Sequence, residues 1–140
     1  MACLVTGTTT VNTNATNGSI AALLSKIDQM QKEAIIANAT NQCDNCMMSA
    51  MYNTKPIALY LCNTGTRFEA EVNNTDTTCD LFRVEEVRNN ETVVLRLLVE
   101  NAETGEVTCT TYTIVVRIAC IGAVQCFDPI NCETLCSQFI

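Results

Sequence analysis

Apolar residues recur at helical spacing near the start of the chain, between Ile20 and Ile35. This spacing predicts an amphipathic helix over residues 19–37, with Ser19 as its N-cap. A helix with one apolar stripe needs a partner surface. The preceding residues, 1–18, are rich in Thr and Asn, and we expect them to form a flexible or extended arm. The apolar face consists of Ile20, Leu23, Leu24, Ile27, Met30, Ala34 and Ile35.

From Pro56 onward the apolar period changes to two, which is typical of β-strands. Turn residues separate the alternating stretches: Asn63 to Gly65, the pair Asn89-Asn90, and Asn101 to Gly105. The first turn predicts a half-exposed hairpin, and the last stretch predicts one long strand. The predicted strands cover residues 57–62, 67–72, 82–85, 92–100 and 107–121.

Five or six antiparallel strands with short turns, preceded by one helix, indicate a mainly β fold. We therefore predict an antiparallel β-sandwich or open barrel that is rich in cysteine. The predicted domain covers residues 19–140, and its parts are the helix 19–37, a β domain 54–126 and a cysteine-rich tail 127–140. A chain of 140 residues corresponds to about one folding unit.

Composition makes the cysteines the most unusual feature of the chain. A chain of this length buries about two thirds of the surface that its unfolded form exposes, and 48% of its residues are hydrophobic. We expect such a core to be stable without disulfides, whereas disulfide-rich scaffolds usually use them to compensate for a small core. The ten cysteines therefore exceed what stability requires.

The charge pattern argues against two classes of partner. The net charge is −7, and the eight Lys and Arg residues are scattered singly, so we expect no nucleic-acid binding. The longest apolar run, near residues 114–124, is interrupted by Arg117 and is too short to span a bilayer, so we expect no membrane insertion. The residues after Met1 lack the basic and apolar regions of a signal peptide.

The side-chain inventory indicates that the protein is not an enzyme and needs no cofactor. Histidine, the commonest general base, does not occur in the sequence. Glu85 and Glu86 are adjacent on a predicted strand and point to opposite faces, so they cannot share a proton. We interpret both as solvated strand carboxylates.

Position along the chain suggests two roles for the ten cysteines, all of which are candidates for disulfides or cross-links. Those within or at the ends of strands are expected to serve the domain: Cys62, Cys79, Cys109 and Cys120. Cys3 lies on the arm, and Cys43, Cys46, Cys126, Cys132 and Cys136 lie in loops and tail. Cys3 and the tail cysteines are the better candidates for joining copies of the protein, although the pairing cannot be deduced from spacing.

Two alternatives remain open at this stage. Cys43-x-x-Cys46, together with Cys126, Cys132 and Cys136, is a possible zinc or redox module, although the pair follows a helix rather than beginning one. A secreted or viral glycosylated β domain is the other alternative. It depends on the Asn-x-Ser/Thr triplets at Asn14, Asn17, Asn38, Asn73 and Asn90.

Several segments form a recognisable set. They begin at Cys79 (CDLFRVEEV), Val94 (VLRLL) and Ile114 (IVVRIACIGAVQCFDP), with a looser one at Thr54 (TKPIALY) and the cysteine pair at Cys43. Together these segments resemble the CotY/CotZ/ExsY family of spore outer-coat and exosporium proteins. The resemblance covers roughly residues 40–130. The absence of histidine, a lower cysteine content and the Thr/Asn arm mark the chain as a divergent member.

The resemblance implies a self-assembling structural protein of the endospore coat or exosporium. Such a protein is made in the mother-cell cytoplasm, without an export signal, and is cross-linked by disulfides after deposition. Its expected partners are identical subunits, in an oligomer or lattice, and other coat or exosporium proteins. We expect edge strands and the apolar face of the helix to make the first contacts between copies.

Overall fold

The computed structural model describes residues 13–40 and 52–132, which form one helix and seven strands. The helix, α1, covers Thr13–Thr40. A short 3-10 turn, Ile118–Cys120, connects the last two strands. The strands are β1 (Ile57–Leu61), β2 (Ala70–Glu71), β3 (Thr78–Cys79), β4 (Leu81–Arg88), β5 (Thr92–Glu100), β6 (Val107–Arg117) and β7 (Ile121–Cys126).

The strands form a five-stranded sheet in the order β6-β5-β4-β1-β7, and β2 pairs with β3 in a separate ribbon. All pairings are antiparallel, so the prediction of a mainly antiparallel β fold with one N-terminal helix is confirmed. Only three residues join β6 to β7 at opposite edges. Four strand spacings of a flat sheet amount to about 19 Å, more than this connection spans, about 14 Å. The sheet is therefore strongly curled.

The main core lies between α1 and one face of this sheet, which we call the inner face. Ala21, Leu24 and Ile27 of the helix are almost fully buried there. Two members of the predicted apolar stripe, Leu23 and Met30, are instead 39% and 44% exposed. Because Ala21, Leu24 and Ile27 pack on the sheet of the same domain, the expectation that the apolar face of the helix contacts another copy was wrong. Strand residues of this core include Ile57, Leu59, Phe82, Val84, Val93, Leu95 and Leu97.

One polar residue replaces an apolar one on the buried face of α1. Gln31 is 3% exposed, and its Nε2 donates to the Val84 carbonyl oxygen at 2.8 Å. Its Oε1 accepts from the Lys55 N–H at 2.9 Å. Because both amide ends are satisfied, this burial avoids the cost of an unpaired polar group. Gln31 thus joins α1 to β4 and to the segment before β1.

The helix is longer than the predicted one, since it begins at Thr13 instead of Ser19 and ends at Thr40 instead of residue 37. Ser19 is consequently not the N-cap, and the predicted arm 1–18 overlaps the helix. Residues 13–18 include no large apolar side chain, so periodicity carries no signal for these turns. Residues 1–12 lie outside the described residues.

The strongly alternating middle of the chain folds as predicted. β5 has the predicted bounds, and the turn before it places Asn89 and Asn90 at φ values of 53° and 59°. Two consecutive residues with positive φ are typical of a type I′ hairpin, whose twist matches that of the strands. The sequence signal at this hairpin was therefore both local and correct.

Two strand predictions were wrong. The predicted strand 67–72 pairs with β1 only at its start, where Arg67 forms a bridge with Tyr60 and the Phe68 N–H donates to the Leu59 carbonyl oxygen at 2.8 Å. Its later residues form β2, which pairs with β3. The predicted strand 107–121 is broken by the 3-10 turn. The break occurs where the chain leaves one edge of the sheet and crosses to the other. At this point the Ile118 N–H donates to the Glu91 carbonyl oxygen at 2.8 Å.

Candidate functional site

Five of the six cysteines of the described residues fall into three environments, which are a disulfide (Cys109 and Cys132), a buried thiol (Cys79) and an exposed sheet edge (Cys120 and Cys126), while Cys62 is half-buried after β1. The cysteines in question are Cys62, Cys79, Cys109, Cys120, Cys126 and Cys132. Cys3, Cys43, Cys46 and Cys136 lie outside the described residues, so the roles expected of them stay predictions.

The disulfide joins Cys109 of β6 to Cys132 of the tail, at a sequence separation of 23 and a Cα–Cα distance of 5.6 Å. This distance is within the ordinary range for a disulfide. The assignment of Cys132 to joining copies was therefore wrong, because its partner belongs to the same domain. The tail also bridges back to the segment before β1, where Thr54 and Ile130 exchange backbone hydrogen bonds of 3.1 and 2.9 Å.

A buried asparagine holds Cys132 in position from the opposite side. Asn53 and Cys132 are each 1% exposed. The Asn53 Nδ2 donates to the Cys132 carbonyl oxygen at 3.1 Å, and its Oδ1 accepts from the Cys132 N–H at 2.8 Å. Both backbone groups of the cysteine are thus satisfied by one side chain, which fixes the tail to the segment before β1.

A cluster of two arginines and one glutamate lies beside this tail on the outer face of the sheet. Glu85 Oε2 accepts from Arg83 Nη1 at 2.8 Å and from Arg96 Nε at 2.7 Å. The two arginine side chains are only 5% and 8% exposed. Arg83 Nε also donates to Thr54 Oγ1 at 2.9 Å, and Arg96 Nη1 donates to the Thr110 carbonyl oxygen at 3.1 Å. We call Arg83, Glu85 and Arg96 the arginine cluster.

The interpretation of Glu85 as a solvated carboxylate was wrong. Val84 pairs with Leu95 while Glu86 pairs with Val94, so Glu85 is an additional residue in β4. Such a β-bulge re-aims a side chain, and here it directs the carboxylate to the two arginines. Burial lowers the pKa of the Arg83 guanidinium, while the adjacent Glu85 carboxylate raises it.

Cys79 carries a free thiol in the main core, where it is 4% exposed. Burial raises the pKa of this thiol, and the nearby Asp80 carboxylate raises it further. The thiolate is the reactive form of cysteine. Cys79 is therefore protonated at neutral pH and shielded from oxidants, which suits a structural role within the domain.

Among the described residues, Cys120 and Cys126 are exposed free thiols; Cys120 immediately precedes β7, and Cys126 is its last residue. Cys126 was predicted in a loop, but it is the last residue of this strand. Cys120, expected to serve the domain, is instead exposed in the 3-10 turn. Next to it, the Cys62 N–H donates to the Cys120 carbonyl oxygen at 2.9 Å.

Strand β7 is an edge of the sheet, since within the described residues it pairs with β1 alone. The sequence from Ile118 to Phe127 contains no charged residue and no proline. Proteins usually protect exposed edges with charges, prolines or bulges, because an unpaired strand is a template for another chain. The unpaired edge of β7, with Cys120 just before the strand and Cys126 at its end, is the candidate functional site.

Metal binding finds no support within residues 13–40 and 52–132, where no three His, Cys, Asp or Glu side chains form a group that could hold a metal ion. Cys132 is already bonded to Cys109, so it is not available as a ligand beside Cys126. The other cysteines of the zinc alternative, Cys43, Cys46 and Cys136, lie outside those ranges. Among the described residues, no helix has the length and apolar character needed to cross a membrane.

Fold and site together define a cysteine-rich, mainly β domain with an internal disulfide and an exposed thiol edge. Comparison with models of protein families, with curated proteins and with solved structures gives no match for this chain.

The buried and the exposed thiols are expected to differ in their rates of alkylation. With iodoacetamide in native buffer, Cys120 and Cys126 should react at least about tenfold faster than Cys79, because reactivity follows thiolate content and exposure. Peptide mass spectrometry after timed quenching measures each rate. In denaturant the three rates should converge. Equal native rates would show that the core does not shield Cys79.

Proposed function

We propose that this chain is a structural, self-assembling subunit of the bacterial endospore outer layer, the coat or exosporium. In this role it builds a protective lattice that is cross-linked by disulfides. The observation that carries the proposal is the pair of exposed thiols that flank an uncharged edge strand, Cys120 just before β7 and Cys126 as its last residue. An unpaired edge supplies reversible contacts between copies, and thiols at its ends supply covalent links.

The separation of the cysteines by environment supports this proposal. The described part of the chain already has a large core and the internal disulfide Cys109–Cys132, so the exposed thiols of Cys120 and Cys126 are not needed to hold it together. A disulfide within a chain stabilises one fold, whereas a disulfide between chains makes dissociation depend on reduction. Exposed cysteine is otherwise a liability in a protein that stays monomeric.

The resemblance of the segments around Cys79, Val94 and Ile114 to spore coat and exosporium proteins supports the location. A chain made in the mother-cell cytoplasm keeps its thiols reduced during synthesis, because that compartment is reducing. Oxidation after deposition then hardens the layer. Identical subunits are the first partners in this scheme, and other coat or exosporium proteins complete the layer.

The proposal gives the protein no catalytic role. The pair Glu85 and Glu86, considered for proton chemistry, is divided between a buried ion-pair cluster and the surface. The two carboxylates are thus engaged with Arg83 and Arg96, and with Arg88. Each of them has a structural explanation.

Assembly of the purified full-length chain tests the proposed function. Protein purified with a thiol reductant and then oxidised should form a ladder of high-order species on non-reducing gels and ordered material in negative-stain electron micrographs. The species should collapse to a single monomer band when reductant is restored. A monomer under both conditions would overturn the proposal, as would aggregates that persist in reductant and detergent.

A further inference from the structure

We infer that the Cys109–Cys132 disulfide is an exchange site for small-molecule thiols, at which the attacking thiol bonds to Cys109 and Cys132 leaves as a thiolate. Cys109 is then a modification site that carries the small thiol as a mixed disulfide, and Cys132 is the thiol that later expels it. This chemistry goes beyond the proposed function, because it takes place at a bond within one copy and does not require assembly.

The two sulfurs of this disulfide differ in their access to solvent. Cys132 is 1% exposed and packs with other buried apolar residues under the tail. Cys109 is only partly buried and lies on β6, an edge of the described sheet. A thiolate cleaves a disulfide by attacking one sulfur and expelling the other. Because an incoming thiol reaches Cys109 more easily, Cys132 is the sulfur that is expelled.

A hydroxyl group lies against the sulfur of Cys132. Thr54 Oγ1 donates to Cys132 Sγ at 3.1 Å, and it is also within donating distance of Asn53 Oδ1, at 2.8 Å. A hydroxyl has one proton, so it serves one of these acceptors at a time. The sulfur of a disulfide is a weak acceptor, whereas hydrogen bonds to a charged acceptor are strong. Formation of a thiolate at Cys132 therefore draws the Thr54 proton to this sulfur.

The same hydroxyl connects Cys132 to the arginine cluster. Arg83 Nε donates to Thr54 Oγ1 at 2.9 Å, which polarises the hydroxyl and strengthens its own donation. The arginine cluster contains two arginines and one glutamate, so its net charge is +1. Burial lowers the pKa of the Arg83 guanidinium, since water solvates this charge poorly. A thiolate at Cys132 supplies a negative charge that balances the cluster.

These contacts favour the departure of Cys132 and also keep it in place. Positive groups nearby favour the thiolate form of a cysteine, and a stabilised thiolate is a better leaving group. The Asn53 side chain holds both backbone groups of Cys132, at 3.1 and 2.8 Å. The expelled thiolate therefore stays beside Cys109, where it can attack the mixed disulfide and restore the original bond.

The exchange needs a thiol as co-reactant and no oxidant. The small thiol first loses its proton to the solvent, and its thiolate attacks Cys109 Sγ. A new S–S bond forms there, the bond to Cys132 breaks, and the electron pair of that bond goes to Cys132 Sγ. In the reverse step the Cys132 thiolate attacks Cys109 Sγ and releases the small thiolate. If a second small thiolate attacks the mixed disulfide at the small molecule's sulfur, a small disulfide leaves and both cysteines are reduced.

Identification of the first adduct tests the direction of attack. The oxidised full-length monomer is mixed with reduced glutathione, quenched in acid after short times, labelled with N-ethylmaleimide in denaturant and analysed by peptide mass spectrometry. Glutathione should be found on Cys109 and maleimide on Cys132, with at least about a tenfold preference over the reverse. In urea the two adducts should form in similar amounts, because both sulfurs are then exposed and the hydroxyl is no longer beside Cys132.

Substitutions at Thr54 test the role of the hydroxyl. Thr54→Val removes the donor to Cys132 Sγ and should slow the exchange about tenfold, the change in rate expected for one hydrogen bond to a charged group. Thr54→Ser is the matched control, which keeps the hydroxyl and should exchange at the wild-type rate. A purely structural role of Thr54 predicts the opposite change for valine, since a loosened tail exposes the disulfide and speeds the exchange.

Two results would overturn the inference. One is a native adduct in which glutathione is found on Cys132 as often as on Cys109, or more often. The other is an unchanged or faster exchange in Thr54→Val, in protein that circular dichroism shows to be folded. If Thr54→Val does not fold, the adducts of the wild-type chain still decide the direction of attack. Neither result concerns contacts between copies, so the proposed function is tested separately.

Discussion

Replacement of Glu85 by glutamine lowers the free energy of unfolding by about 3 kcal/mol, the usual scale for removing one partner of a buried ion pair. The change leaves the side chains of Arg83 and Arg96, only 5% and 8% exposed, without their shared carboxylate. Two largely buried positive charges then lie close together, with little access of water to offset their repulsion. Urea denaturation monitored by circular dichroism, under oxidising conditions, measures the loss.

The matched control is Glu86→Gln at the next position. Glu86 pairs with Arg88, and both side chains are about half exposed; exposed pairs of this kind contribute at most about 1 kcal/mol. The two substitutions are chemically identical and differ only in burial. Equal losses of stability from both would contradict the assignment of Glu85 to a buried cluster.

Removal of the internal disulfide gives the second large effect. Replacing Cys109 by alanine should lower the free energy of unfolding by about 3 kcal/mol, which the chain-entropy relation gives for a closed loop of this length. Thermal or urea denaturation of the oxidised proteins measures the difference between variant and wild type. The tail should also become more accessible to protease near Ile130, because the covalent tie to β6 is lost.

Reductant provides an internal control for this prediction. With the disulfide reduced, wild type and Cys109→Ala should differ much less, since the wild-type chain has lost the same cross-link. Cys126→Ser, an exposed change that leaves this bond intact, should shift stability by less than about 0.5 kcal/mol. A full difference between wild type and Cys109→Ala in reductant would show that the alanine itself, and not the lost bond, destabilises the fold.

Sequence patterns predicted the parts of the fold that depend on local signals. A mostly apolar run between two turns located β5 as a well-buried strand, and the Asn89-Asn90 turn specified a hairpin because asparagine tolerates positive φ. Apolar spacing located the centre of α1, since Leu24 and Ile27 lie on one face of the helix and have to be buried, whatever surface covers them. These features require only neighbouring residues, so a single sequence contains them.

Features that depend on distant residues could not be predicted in this way. The break at Ile118 follows from the passage of the chain across a curled sheet, and nothing in the residues 114–121 marks it. Gln31 is buried because backbone groups of β4 and of Lys55 lie within reach. Glu85 points to the arginines because of a bulge whose register is set by β5.

The cysteines show the same division between local and distant information. Their number indicated cross-linking, but their roles depended on neighbours in space. Cys132 belongs to the tail in sequence, yet it is bonded to β6. Cys120 lies just before an edge strand and Cys126 is its last residue, which no count or spacing could reveal, because edge strands are defined by the order of the sheet.

Disulfide mapping of a mixed assembly tests the central claim most directly. Unlabelled and heavy-nitrogen-labelled full-length protein are combined in reductant, oxidised together and digested, and the linked peptides are weighed. The account predicts that Cys109–Cys132 peptides carry a single label type, since that bond lies within one chain. It predicts that peptides joined through Cys120 and Cys126 include the mixed-label species. Mixed labels across Cys109–Cys132, or none in any other linked peptide, would contradict the division of these cysteines between holding the domain together and joining its copies.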